Sequence, residues 1–133
     1  MRKKLHLIGS VSFACISYFI WHFLDRFIIL RSTPSLKNTI YSIFSIEISL
    51  FFIMILSSYI GGILPDILDP PFTKYHRYYA HSKIVLIVLI ILWGFSLFIL
   101  LIEENMIGWF IHFLLIGYIS HLILDSFTPA GLQ

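Results

Sequence analysis

Histidine and aspartate recur in this sequence at spacings that could hold a metal ion. His121 and Asp125 are four residues apart in an apolar segment, so on an α-helix they lie one turn apart on the same face. An imidazole and a carboxylate placed in this way can bind one ion, or they can hydrogen-bond to each other as a structural pair. The rest of the chain has to distinguish these two interpretations.

A second group of candidate ligands lies in the segment Pro65-Asp-Ile-Leu-Asp-Pro70. We expect Pro65 to break the second helix and open a short turn, which Pro70 then closes. Asp66 and Asp69 would lie on one side of that turn. Two carboxylates this close repel each other unless a cation lies between them, although each could also simply cap or solvate a loop.

A third group follows in His76-Arg-Tyr-Tyr-Ala-His81. A spacing of five residues fits one helical face less well than a spacing of four, so we expect the two histidines to serve different ions, or one to bind metal and the other to have a catalytic role. The adjacent Arg77 could neutralise a phosphoryl or carboxylate oxygen. The simpler alternatives are interfacial hydrogen bonds for the histidines and attraction of Arg77 to lipid head groups.

The composition predicts the elements that must position these residues. The 133-residue chain has room for one domain, and its apolar content of 59% and mean hydropathy of +0.92 indicate an integral membrane protein. Four stretches approach the length that spans a bilayer, at about residues 5–24, 40–64, 84–102 and 107–124. We therefore expect an all-α bundle of about four transmembrane helices, with a proline-broken polar loop between the second and third. The net charge is only +2, and the basic residues do not form a stripe that could follow a nucleic-acid backbone, so we exclude nucleic acid as a partner.

The basic residues predict the orientation, because cytoplasmic loops carry the excess of lysine and arginine. The six on one side are Arg2, Lys3, Lys4, Lys74, Arg77 and Lys83, and the three on the other are Arg26, Arg31 and Lys37. This bias favours a cell-membrane protein with both termini in the cytoplasm. The same topology brings all the candidate residues to one membrane surface, namely His6, Asp66, Asp69, His76, His81, His121 and Asp125.

Four segments together resemble the YdjM-like inner-membrane family, which is described as metal-dependent hydrolases. They are the start around His6, Leu64-Pro-Asp-Ile-Leu-Asp-Pro70, His76-Arg-Tyr-Tyr-Ala-His-Ser82, and Gly117-Tyr-Ile-Ser-His-Leu-Ile-Leu-Asp-Ser-Phe-Thr-Pro-Ala-Gly131. The resemblance implies that the seven histidine and aspartate positions named above form the site. The chain departs from the family pattern Pro-Asp-x-Asp-His by one extra residue, Leu68, and by lacking the final histidine, which counts against Asp69 as a direct ligand.

The first functional hypothesis is a membrane-embedded metal-dependent hydrolase. The expected metal ligands are His6, Asp66, His81, His121 and Asp125, and the expected metal is zinc ahead of manganese or magnesium. The ion would lower the pKa of a bound water toward neutrality. Asp69 or His76 would accept a proton and Arg77 would neutralise a phosphoryl oxygen. Because the site lies at the cytoplasmic surface of the lipid bilayer, the expected substrate is a lipid-linked phosphoester.

Two other classes of function use the same residues. A small metal or proton carrier would need polar residues toward the far side of the bilayer, and His22, Asp25, Glu47 and His112 are available. Interfacial pairing, for example of Asp25 with Arg26 or His22, is the preferred explanation of those residues. A structural membrane subunit would use the histidines and aspartates only to bond helices together, but this gives no reason for them to collect on one surface.

Overall fold

The fold consists of four α-helices in the described part of the chain. The computed structural model describes residues 2–29, 37–70, 79–102, 105–128 and 132, and within the helices it describes the side chains of residues 6–21, 48–68, 83–100, 102 and 106–126. The helices are α1 (Arg2–Ile29), α2 (Lys37–Leu68), α3 (Lys83–Ile102) and α4 (Met106–Ser126). The predicted all-α bundle is thereby confirmed.

Among the residues whose side chains are described, three helical stretches are long and apolar enough to cross a membrane. They are Ile48–Leu68, Lys83–Leu100 and Met106–Ser126. The part of α1 with described side chains, His6–Trp21, is apolar but shorter, so the first of the four predicted spans stays a prediction. Large apolar side chains such as Ile84 and Ile91 of α3 are exposed on the outside of the bundle, where lipid hydrocarbon suits them.

Helix α4 is the centre of the bundle. It contacts α1, α2 and α3, whereas α3 packs against α4 alone among the described residues. The main core cluster draws on all four helices and consists of Ala14, Met54, Leu100, Trp109, Phe113 and Ile116. The N-terminus of α4 is capped by Asn105, whose side chain accepts a hydrogen bond from the backbone N–H of Gly108 at 2.6 Å.

Helices α2 and α4 approach each other closely because glycines line their contact. A Cβ atom added to Gly61 would overlap the backbone carbonyl oxygen of Leu114, and one added to Gly117 would overlap that of Ser58. Small residues permit such close packing in membranes, where the hydrophobic effect does not drive helices together. The contact lies about one turn before a candidate ligand on each helix, Asp66 in α2 and His121 in α4.

Helix α1 joins this contact through a serine. The hydroxyl of Ser10 is placed to donate to the backbone carbonyls of His6 at 2.9 Å and Gly117 at 3.3 Å. A Cβ atom on Gly62 would overlap the Ser10 hydroxyl. Helices α1, α2 and α4 therefore meet at small residues, and the Ser10 hydroxyl is a hydrogen-bond donor within reach of the His6 and Gly117 carbonyl oxygens.

The prediction that Pro65 opens a separate turn is wrong. Helix α2 continues through Pro65 to Leu68, and the N–H of Asp69 still donates to the Pro65 carbonyl at 2.9 Å. Proline removes the N–H that the Gly61 carbonyl would accept, but a membrane helix tolerates this where a neighbouring helix meets the disturbed carbonyls. The helix ends instead before Pro70, because the residue preceding a proline is disfavoured in the α conformation.

A separate polar contact joins α1, α3 and α4 inside the core. The imidazole of His112 is 1% exposed, and its Nδ1 lies 3.1 Å from the hydroxyl of Ser96. Because that hydroxyl donates its proton to the Trp93 carbonyl at 2.7 Å, it accepts from Nδ1–H. The other nitrogen, Nε2, lies 3.5 Å from the Ser17 hydroxyl. His112 thus links three helices.

We expect an alanine at Gly61 to destabilise the bundle and an alanine at Gly94 not to. Gly61→Ala forces α2 away from α4, and overpacking of this kind costs about 1–3 kcal/mol. The control Gly94→Ala makes the same change at a helical glycine with nothing within 4 Å of the added Cβ. The free energy of unfolding is measured by SDS titration in detergent micelles. Equal stabilities of the two variants would contradict a close glycine contact.

Candidate metal centre

Five predicted ligands meet at one end of the bundle, and we call them the His/Asp cluster: His6, Asp66, His81, His121 and Asp125. The topology explains the meeting. The second turn of α1, the last turn of α2, the residues just before α3 and the last two turns of α4 lie at the same end, because consecutive helices run in opposite directions. The sequence-based expectation that these segments share one surface agrees with this arrangement.

The orientation of His121 is set by the backbone of α2. Its Nδ1 lies 2.7 Å from the carbonyl oxygen of Gly62. A carbonyl can only accept, so Nδ1 carries the proton and the Nε2 of the neutral ring presents its lone pair to the cluster. Histidines that bind metal commonly donate their second N–H to a backbone carbonyl or a carboxylate in this way.

The ligand atoms are spaced as those of a tetrahedral ion would be. The Nε2 atom of His81 lies 3.3 Å from Nε2 of His121 and 3.4 Å from Oδ2 of Asp125, and the latter two atoms are 3.7 Å apart. Four ligands at zinc–nitrogen or zinc–oxygen bond lengths lie about 3.4 Å from one another. These three atoms can therefore hold one ion together with a fourth ligand.

Asp66 and His6 are the candidates for further ligands. The Oδ1 atom of Asp66 is 3.7 Å from Nε2 of both His81 and His121. His6 faces the other oxygen of Asp125, with Nε2 to Oδ1 at 3.3 Å, and its ring stacks on that of His121 with centroids 4.5 Å apart.

Besides His81, His121 and Asp125, two other groups of three among the described residues could hold an ion, and both also include His121. One group is His6, His121 and Asp125, and the other is Asp66, His81 and His121. Since Nδ1 of His121 is taken by Gly62, only its Nε2 can bind metal. The two groups thus compete for one nitrogen, and two ions could be held only if one of them lacked His121.

The structure separates Asp69 from the cluster. Its Oδ2 lies 3.8 Å from Nδ1 of His81, whereas the cluster faces Nε2 of the same ring. The sequence-based hypothesis paired Asp66 with Asp69 around a cation, but the imidazole of His81 stands between the two carboxylates. This position disfavours Asp69 as the proton acceptor. His76 and Arg77, the other two expected catalytic residues, lie outside the described residues.

Sequence reasoning missed two contacts of the site. The Gly62 carbonyl fixes the tautomer of His121, and the hydroxyl of Tyr118 donates to the carbonyl of Ala80 at 3.1 Å, next to His81. No motif signals a backbone acceptor. For Tyr118, the one available signal was its position three residues before His121, which puts the two side chains on one helical face.

The side chains of the His/Asp cluster could bind a metal ion. Imidazole nitrogens together with carboxylate oxygens suit zinc or manganese better than magnesium. His81, His121 and Asp125 are at most 2% exposed, and carboxylates and imidazoles are costly to bury at membrane depth unless they are paired or hold an ion. A protonated His81 between the carboxylates would satisfy the same contacts without metal, and metal content separates the two cases.

One family of known proteins matches the chain. The model of a family described as YdjM inner membrane protein matches residues 28–133, more than half of the chain. The matched region includes four members of the cluster, Asp66, His81, His121 and Asp125, while His6 precedes it. The comparisons with curated proteins and with solved structures found no match.

We expect the purified wild-type protein to contain zinc and the variant Asp66→Asn to have lost most of it. The substitution keeps the shape of a side chain that is 27% exposed but removes the charge that binds the ion. Inductively coupled plasma mass spectrometry after mild detergent extraction gives the metal content per chain. His121→Ala should show the same loss.

The control for both variants is His112→Ala, which removes a buried histidine that bonds to serines and belongs to a different part of the core. It should keep its metal even if its stability falls. A metal-free wild type would contradict the assignment and favour a protonated His81.

Proposed function

Because the chain belongs to the YdjM inner membrane protein family, we propose that it is a membrane-embedded, metal-dependent hydrolase. The description of the matching family model names a membrane location and no reaction, so the match does not show the hydrolysis that the sequence resemblance implied. The proposal of hydrolysis therefore rests on one observation, the convergence of three imidazoles and two carboxylates in the His/Asp cluster.

The His/Asp cluster has a buried part that would bind the ion and a partly exposed part that would face the substrate. His81, His121 and Asp125 are buried and would hold the ion from the bundle interior. A bound divalent ion supplies Lewis acidity and makes water nucleophilic near neutral pH. The side chains of His6 and Asp66 are 14% and 27% exposed, so a substrate would approach the cluster from their side.

The proposed substrate is a lipid-linked phosphoester. The cluster lies at the end of two candidate spans, Ile48–Leu68 and Met106–Ser126, which corresponds to the head-group level of a bilayer. With both termini in the cytoplasm, as the distribution of basic residues favours, this is the cytoplasmic surface. His76 as proton acceptor and Arg77 as a partner for a phosphoryl oxygen complete the proposal.

We expect the zinc-loaded protein to release phosphate from phosphatidic acid in detergent micelles faster than from p-nitrophenyl phosphate. Both are phosphomonoesters, but the first presents its ester at a lipid interface, where we propose that the cluster acts. Asp66→Asn should lower the rate about 100-fold or more, because the ion that activates water is lost. Removal of metal by EDTA should abolish the release and added zinc should restore it.

The variant Glu47→Ala is the matched control, since a hydrolase has no need of that residue and a carrier would use it toward the far side of the membrane. It should retain the hydrolytic rate. Zinc uptake into proteoliposomes without phosphate release, abolished by Glu47→Ala, would refute the hydrolase and support the carrier.

A further inference from the structure

Asp69 joins the two ends of the connection between α2 and α3 by hydrogen bonds. It directly follows α2, is buried, and accepts hydrogen bonds at Oδ2 from the backbone N–H groups of Tyr79, at 3.0 Å, and Ala80. One carboxylate oxygen thus holds two consecutive peptide groups that come ten and eleven residues later in the chain. Such charge-assisted bonds are stronger than those between neutral groups.

Helix α4 also binds the backbone of Ala80, at its carbonyl oxygen. The hydroxyl of Tyr118 donates to the carbonyl oxygen of Ala80 at 3.1 Å. The N–H of Ala80 is therefore bound by the end of α2 and its C=O by α4. His81 is the next residue, so its backbone is fixed relative to α2 and α4, the helices that carry Asp66, His121 and Asp125.

Asp69 also faces the ring of His81. Its Oδ2 lies 3.8 Å from Nδ1, within ion-pair range although longer than a hydrogen bond, while Nε2 of that ring points at His121 and Asp125. A carboxylate favours a proton on the nitrogen that faces it, which leaves the opposite nitrogen as the metal ligand.

We propose that Asp69 is a positioning residue for His81. It fixes the backbone that presents the ring and directs the Nε2 lone pair into the His/Asp cluster, and it neither binds the ion nor transfers protons. The inference rests on the proposed metal centre, since it concerns how one of its ligands is held. A carboxylate behind a ligating histidine also raises the basicity of the ring and hence its affinity for metal.

The variant Asp69→Asn tests this role. The amide oxygen can still accept from Tyr79 and Ala80, but the negative charge behind His81 is gone. We expect the zinc affinity, measured by competition with a chelator in detergent, to fall about 10- to 100-fold, the usual effect of removing such a partner. The thermal midpoint of the metal-free protein should stay close to that of the wild type.

Ser82→Ala is the matched control from the same loop. The Ser82 hydroxyl accepts from the N–H of Val85 at 3.2 Å and caps α3, so its loss should lower the thermal midpoint and leave the zinc affinity unchanged. Cobalt-substituted protein provides a second measurement, because a reoriented His81 changes the visible absorption of the ion in Asp69→Asn and not in Ser82→Ala.

The outcomes separate this inference from the proposed function. Zinc affinity and cobalt spectrum equal to wild type in Asp69→Asn would overturn the positioning role and leave the hydrolase standing. A wild type that binds zinc but hydrolyses no lipid phosphoester would overturn the hydrolase, while a weakened affinity in Asp69→Asn would still support the positioning role.

Discussion

The close approach of α2 and α4 is the constraint on which the His/Asp cluster depends. Gly61 and Gly117 let the two backbones touch, and this proximity brings the carbonyl of Gly62 within 2.7 Å of Nδ1 of His121. A side chain at either glycine would hold the helices apart and leave His121 without the acceptor that sets its tautomer. Pro65 contributes to the same contact. It removes a hydrogen-bond donor from the preceding turn of α2, where donors from α4 can reach the backbone carbonyls.

Among the described residues, the bundle has two sets of buried polar side chains, one around His112 and one in the His/Asp cluster, and they differ in whether they need an ion. At His112 the two ring nitrogens each face a serine hydroxyl, and surrounding rings such as Trp109 and Phe113 complete an apolar environment. This arrangement joins helices and requires no ion. In the His/Asp cluster, by contrast, the Nε2 atoms of His81 and His121 point at each other across 3.3 Å. Unprotonated nitrogens in that position repel each other, and a cation or a proton has to lie between them.

Different contacts hold the residues of the His/Asp cluster in place. His121 and Asp125 stand on the central helix, which packs against all three others, so their positions are set by the bundle itself. His81 lies outside any helix, and its place depends on the bonds of Asp69 and Tyr118 to the peptide before it. His6 comes from α1, before the region that matches the family, and its ring stacks on that of His121.

Composition and spacing were sufficient to predict the helices and the end of the bundle at which the candidate ligands gather. Apolar length determines a membrane helix, and consecutive helices that cross a bilayer run in opposite directions. The predicted span of residues 40–64 accordingly lies within α2 (Lys37–Leu68). Only the tertiary structure showed that Pro65 lies within the helix and that Asp66 and Asp69 face opposite nitrogens of His81. These features depend on the rotation of α2 against α4 and on hydrogen bonds between residues distant in sequence, which no local pattern encodes.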